Sequence, residues 1–143
     1  MLLSKWTALA SALCCMSAWA IPVCNAPVFY CAMQQDDKAV SLCEVGNKLQ
    51  YAYGPLQGTP ELLLQVPRTN AKVEPWNGMG HAYWGSITIP NGQWAYRLGF
   101  SVPRGPDSVG GSAAVTVVRS GKDVRTLACK IETLQERVES LEP

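Results

Sequence analysis

Between residues 28 and 129 the sequence is a succession of short apolar–polar alternations cut by Gly, Pro, Asn and Asp, with no apolar residues recurring at helical spacing. This punctuation constrains the fold more than any other feature, because runs this short each bury one face only when paired in antiparallel sheets. The runs are VFYCAM, AVSLCE, the segment after Gly46-Asn47, ELLLQV, AYWGSITI, QWAYRLGFSV, SAAVTVV and DVRTLAC. They predict an all-β domain of about eight antiparallel strands, arranged as a small barrel or a sandwich. GPLQGTP, the stretch from Pro67 to Gly80, and PRGPDSVGG read as surface loops.

Two hairpins have registers with consequences. Gly46-Asn47 is a two-residue turn signal that pairs Leu42 with Tyr51 and Val40 with Tyr53. About Pro90-Asn91-Gly92 two registers one residue apart are open, and such a slip turns every side chain to the other face. The apolar pattern selects the one that pairs Ile89 with Trp94, Ile87 with Tyr96, Gly85 with Leu98 and Tyr83 with Phe100 on the inner face. Trp84, Ser86 and Thr88 then point outward with Ala95, Arg97 and Gly99, and Trp84 lies beside Gly99 and diagonal to Arg97.

The ends differ from the middle. Residues 1–20, MLLSKWTALASALCCMSAWA, carry one early lysine, an uncharged apolar stretch and an Ala18-Trp19-Ala20 ending, the pattern of a secretory signal peptide cleaved after Ala20. The stretch is too short for a membrane span, and neither Cys14 nor Cys15 follows the small residue that lipid attachment wants, so no membrane anchor is expected after cleavage. Residues 21–129 form the β domain, a single-domain length. In residues 130–143, Ile131, Leu134, Val138 and Leu141 fall at helical spacing among glutamates, which predicts a short amphipathic C-terminal helix. That helix either packs on the end of the sheet or serves as a homodimer seam.

Charge and cysteine content narrow the partners and the compartment. Once Lys5 is removed with the leader, basic residues equal the 11 acidic ones, and no basic run exists, so nucleic acid and anionic membranes are excluded as partners. Of the 6 cysteines, Cys24, Cys31, Cys43 and Cys129 remain, an even number in an exported chain, which reads as two disulfides in a periplasmic or secreted protein. Folding the first hairpin about Asp37 sets Cys31 opposite Cys43 and leaves Cys24 for Cys129. The rival pairing, Cys24 with Cys43 and Cys31 with Cys129, staples the first strand to the last.

The stretch WNGMGHAYWG holds the chain's only histidine, His81, between Trp76 and Trp84. Catalysis by His81 needs a nucleophile or bound water and an orienting partner, and no Ser or Cys nucleophile motif accompanies it. One histidine with disulfide-bound cysteines offers no metal-ligand spacing. Asp36 and Asp37 belong to a hairpin turn, and Gly110-Gly111 precede a strand rather than a helix, so no phosphate loop is present. The expectation is a non-enzymatic protein without cofactor or metal. Its candidate binding residues are Trp76, Met79, His81, Trp84 and Arg97, an aromatic and arginine composition typical of interface hot spots. The competing reading of Trp84 is structural: a large ring shielding the strand glycine Gly99, or lying beneath the tail helix.

The order FYC, KAVSLC, LQYAYG, PELLLQVP, WNGMG, NGQWAY and LAC, from about Phe29 to Cys129, resembles a group of small exported disulfide-bonded β proteins of Gram-negative bacteria. That likeness implies a location and no activity. In architecture the chain also resembles the periplasmic inhibitors of c-type lysozyme, eight-stranded barrels whose loops present a serine in an S-G-x-x-Y segment and a lysine before glycine. Gly85-Ser86 and Gly121-Lys122 reverse both patterns, so no inhibitory residue carries over. The partner class expected is a protein or a glycan met through the aromatic surface. The alternative is a structural or envelope-assembly protein that uses its C-terminal helix.

Overall fold

The structure is a computed structural model and describes residues 24–107 and 109–141. The predicted leader, residues 1–20, lies outside them. Ten strands form two antiparallel five-stranded sheets that pack face to face. They are β1 (Phe29–Ala32), β2 (Lys38–Val45), β3 (Lys48–Pro55), β4 (Leu62–Pro67), β5 (Lys72–Glu74), β6 (Ala82–Asn91), β7 (Trp94–Pro103), β8 (Ser112–Arg119), β9 (Lys122–Ala128) and β10 (Gln135–Glu136). The first sheet runs β10-β1-β2-β3-β4 and the second β5-β6-β7-β8-β9. Of the two expected architectures the sandwich is the one adopted, and no barrel closes.

The core lies between the sheets. Val40 and Leu42 of β2, Leu49 and Tyr51 of β3, Ile87 and Ile89 of β6, Leu98 and Phe100 of β7, and Val115 of β8 are buried there. The Tyr51 and Tyr96 rings stack across the two sheets at 5.0 Å and 17°. The β2–β3 hairpin has the predicted register, Leu42 opposite Tyr51 and Val40 opposite Tyr53, with Gly46 at φ 61° in its turn. A positive φ there is what a tight two-residue hairpin asks of its first central residue.

The other two registers differ from expectation by different amounts. In the β1–β2 hairpin Cys31 faces Val40, not Cys43, a slip of three residues. An odd slip exchanges faces, so Cys31 points into the core while Cys43 lies on the outer face of the sheet, and the two cannot join. The disulfides are Cys24–Cys43 and Cys31–Cys129, with Cα separations of 5.8 and 5.7 Å. The expected Cys31–Cys43 and Cys24–Cys129 pairing is thereby corrected. In the β6–β7 hairpin the turn is Gly92-Gln93, and Ile89 faces Tyr96, Ile87 faces Leu98 and Gly85 faces Phe100, two residues from the predicted pairing. An even slip preserves the faces, so the inner and outer sets are those expected. Pro90 does not end the strand because β5, which pairs only as far as Thr88, leaves β6 an edge there, where a missing N–H is tolerated.

The C-terminal segment is not an α-helix. After β9 the chain leaves the second sheet for the first: the Lys130 N–H donates to the Ala32 carbonyl at 2.8 Å, and the Gln34 N–H donates to the Ala128 carbonyl at 3.0 Å. Two short 3-10 turns, Ile131–Thr133 and Val138–Leu141, flank β10, which pairs antiparallel with β1. Val138 and Leu141 are buried in the core. A spacing of three within each turn satisfies the same apolar pattern that a helix would. A lone helix of this length is marginal in water, whereas extended pairing covers the open edge of β1.

Candidate functional site

The structure divides the five predicted binding residues between two places. Tyr83 and Trp84 are consecutive in β6 and therefore face opposite ways. Trp76 meets Tyr83 edge-on at 5.7 Å, on the inner side, so it does not join Trp84 in one patch. Trp76 instead holds its own loop together: its indole N–H donates to the Met79 carbonyl at 3.0 Å, and the Arg104 guanidinium lies 4.4 Å above its ring. The Met79 N–H donates to the Asn77 side-chain oxygen at 3.0 Å, which leaves the Met79 side chain at the loop tip, 70% exposed. His81 is exposed, and its carbonyl accepts the Arg104 N–H at 2.9 Å, joining this loop to the one after β7.

Trp84 and Arg97 lie on the outer face of the second sheet. Trp84, 36% exposed, faces Ser101 rather than Gly99, and Arg97 faces Thr88. Both line a recess of about 410 Å³ together with Glu74, Ser86, Gly99, Ser112, Ala114 and Thr116. Its floor is one cross-strand row, Glu74–Ser86–Gly99–Ala114, which exists because β5, β6, β7 and β8 pair in that register. The tail does not cover it: the tail packs on the Tyr83 side, where burial first and the Glu136 and Glu139 carboxylates next push the Tyr83 hydroxyl up to about 12. Nor does Trp84 shield Gly99, since a Cβ built at Gly99 meets only Ser86 Cβ at 3.7 Å and the Gly85 carbonyl at 3.8 Å.

Polar groups in the recess are paired but accessible. The Glu74 carboxylate sits 2.9 Å from the Lys72 ammonium and accepts the Ser86 hydroxyl at 3.0 Å. Lys72 first and Ser86 second hold that carboxyl below the usual carboxylate range, so it is an ionised acceptor at neutral pH. Arg97 pairs with Asp123 at 2.6 Å. The arrangement presents an aromatic face, hydroxyls and one charge of each sign.

A larger recess of about 830 Å³ opens where the chain crosses from β4 to β5, walled by Leu49, Ala71, Val73 and Leu141 with Arg68 at its rim. Arg68 is committed to the fold: it donates to Glu44 at 3.1 Å and to the Ser140 carbonyl at 3.2 Å. The outer-face recess is the candidate pursued, because it holds Trp84 and Arg97 of the predicted binding residues and the larger one holds none of the five. Glu74, Ser112 and Ala114 were not legible as members of it. Glu74 lies in a strand of three residues hidden in a predicted loop, and the other two join only through the β7–β8 register. Among the described residues no helix is long and apolar enough to cross a membrane. Comparison with known proteins finds no matching family model, no matching curated protein and no matching solved structure.

Proposed function

We propose that the chain is an exported, non-enzymatic binding module whose working surface is the outer face of the second sheet. The carrying observation is the recess beside Trp84, a concave, partly apolar slot with a few convergent polar groups and a volume within the range of ligand sites. The leader-like residues 1–20 and the two disulfides, Cys24–Cys43 and Cys31–Cys129, support export to the periplasm or beyond. Self-association through the tail has lost its support, because Val138 and Leu141 are spent on the chain's own core. Inhibition of c-type lysozyme is a special case of the binding reading, and a lysozyme assay with added protein tests it.

The general test is retention of periplasmic proteins and of cell-wall glycan on the immobilised, oxidised mature chain. Trp84→Ala is expected to weaken retention by about 2 kcal/mol or more, the scale of an aromatic hot spot, with its circular dichroism unchanged. Met79→Ser and His81→Ala, at the other site, are expected to change it little. Equal retention by wild type and Trp84→Ala contradicts the proposal.

A further inference from the structure

We infer that the ligand of the outer-face recess is an uncharged linear glycan lying across the strands, an inference that rests on the binding-module reading. The recess has a direction. Its floor row, Glu74–Ser86–Gly99–Ala114, continues to Ala128 of β9, perpendicular to the strands. One wall is the row of Trp84, Ser101 and Ser112; the other is Lys72, Thr88, Arg97, Thr116 and Thr126. At about 4.8 Å per strand, the recess floor from β5 to β8 runs about 14 Å, a length for a short chain of rings rather than one ring.

Gly99 shows that the floor is cleared rather than merely small. A glycine inside a strand weakens it, and at most such positions the fold demands it. Gly54 is demanded, since its Cβ would meet the Glu61 N–H nitrogen at 2.7 Å, and Gly85 is demanded by the Phe100 ring at 3.0 Å. Gly99 has no positive φ, and a Cβ there would make only ordinary contacts, with Ser86 Cβ at 3.7 Å and the Gly85 carbonyl at 3.8 Å. What the missing side chain supplies is depth between Trp84 and Arg97, where a ligand backbone can approach the sheet.

The chemistry selects the class. Lys72 with Glu74 and Arg97 with Asp123 form two ion pairs, so the slot carries no net charge and gives no attraction to a polyanion. Its hydroxyls at Ser86, Ser101 and Ser112, the Glu74 acceptor and the Arg97 donor match a ligand with many alternating donors and acceptors. The Trp84 face matches the apolar C–H face of a pyranose ring. An extended peptide crossing the strands would leave its own backbone groups without the ladder that strand addition at a sheet edge provides.

Titration of the oxidised chain with chitin and cellulose hexasaccharides, followed by tryptophan emission and calorimetry, tests this, with glucose, N-acetylglucosamine, a neutral extended peptide and heparin as comparisons. A hexasaccharide is expected to bind at least tenfold more tightly than its monosaccharide, and Trp84→Ala to lose at least tenfold. Gly99→Val fills the floor; it is expected to abolish glycan binding while the melting temperature holds or rises. Gly99→Ala, a smaller step, keeps the test valid if the valine variant does not fold. Unchanged affinity in the folded Gly99 variant, or preference for heparin or the peptide, overturns the inference. If no hexasaccharide binds while Trp84-dependent retention of a protein persists, the glycan assignment fails and the binding module stands; if both are absent, both fail.

Discussion

At the residue scale, adjacent side chains of β6 have unlike fates. Trp84 is partly exposed, so Trp84→Ala is expected to cost about 1 kcal/mol of stability, the centre of the distribution for point substitutions, as read from a urea midpoint. Tyr51, buried and stacked on Tyr96, is the contrast: Tyr51→Ala is expected to cost about 3–5 kcal/mol by the same measurement. The tyrosines also set an alkaline limit. Burial, as the largest cause, raises the Tyr51 hydroxyl above its ordinary 10, and burial with Glu136 and Glu139 raises Tyr83 to about 12. The folded state thus favours the neutral phenols, so their contribution is present in full only below the ordinary phenol range and is lost as pH rises above it, that of Tyr83 through about 12 and that of Tyr51 higher still. Urea midpoints flat from pH 8 to 10 and falling steadily above it are expected, with the fall reduced in Tyr83→Phe.

At the element scale, the disulfides and the tail carry the predictions and also show what the sequence could reveal. Loop-closure entropy makes the bridge of the longer loop the stronger: Cys31–Cys129 closes 98 residues and Cys24–Cys43 only 19. Replacing the first pair by alanine is expected to cost about 4.7 kcal/mol and the second about 3, read from chemical unfolding of the two variants. Mass spectrometry of unreduced peptides checks the pairing itself. Leu141→Ala is expected to lower stability by about 2–5 kcal/mol, as a buried core residue would and an exposed dimer seam would not. Alternation alone revealed eight of the strands and both faces of β6 and β7, because a face depends only on parity. It did not reveal how far each hairpin closes. The Gly46-Asn47 turn is short enough to fix its register, whereas the Met33 to Asp37 connection is not, and its slip of three residues reversed the cysteine assignment. β5 and β10, of 3 and 2 residues, are too short to alternate visibly. The recess was half legible: Trp84 and Arg97 came from the outward pattern of one hairpin, while Glu74, Ser112 and Ala114 depend on neighbours distant in sequence.

At the scale of the whole molecule, the β4 to β5 connection and the Cys31–Cys129 bridge tie the two sheets together, and the tail completes the first sheet's edge. Among the described residues, only strand residues line the recess on the outer face of the second sheet, with Trp84 and the floor at Gly99 on it. Function on this account is a property of that face, made by four strands in register, and not of the WNGMGHAYWG stretch as a unit. The most direct test is an amide and indole chemical-shift map of the oxidised mature protein as the chitin hexasaccharide, or the partner retained through Trp84, is added. The account predicts shifts concentrated on Glu74, Trp84, Ser86, Gly99 and Ala114; shifts centred on Met79 and His81, or on Arg68 and Leu141 at the other recess, would contradict it.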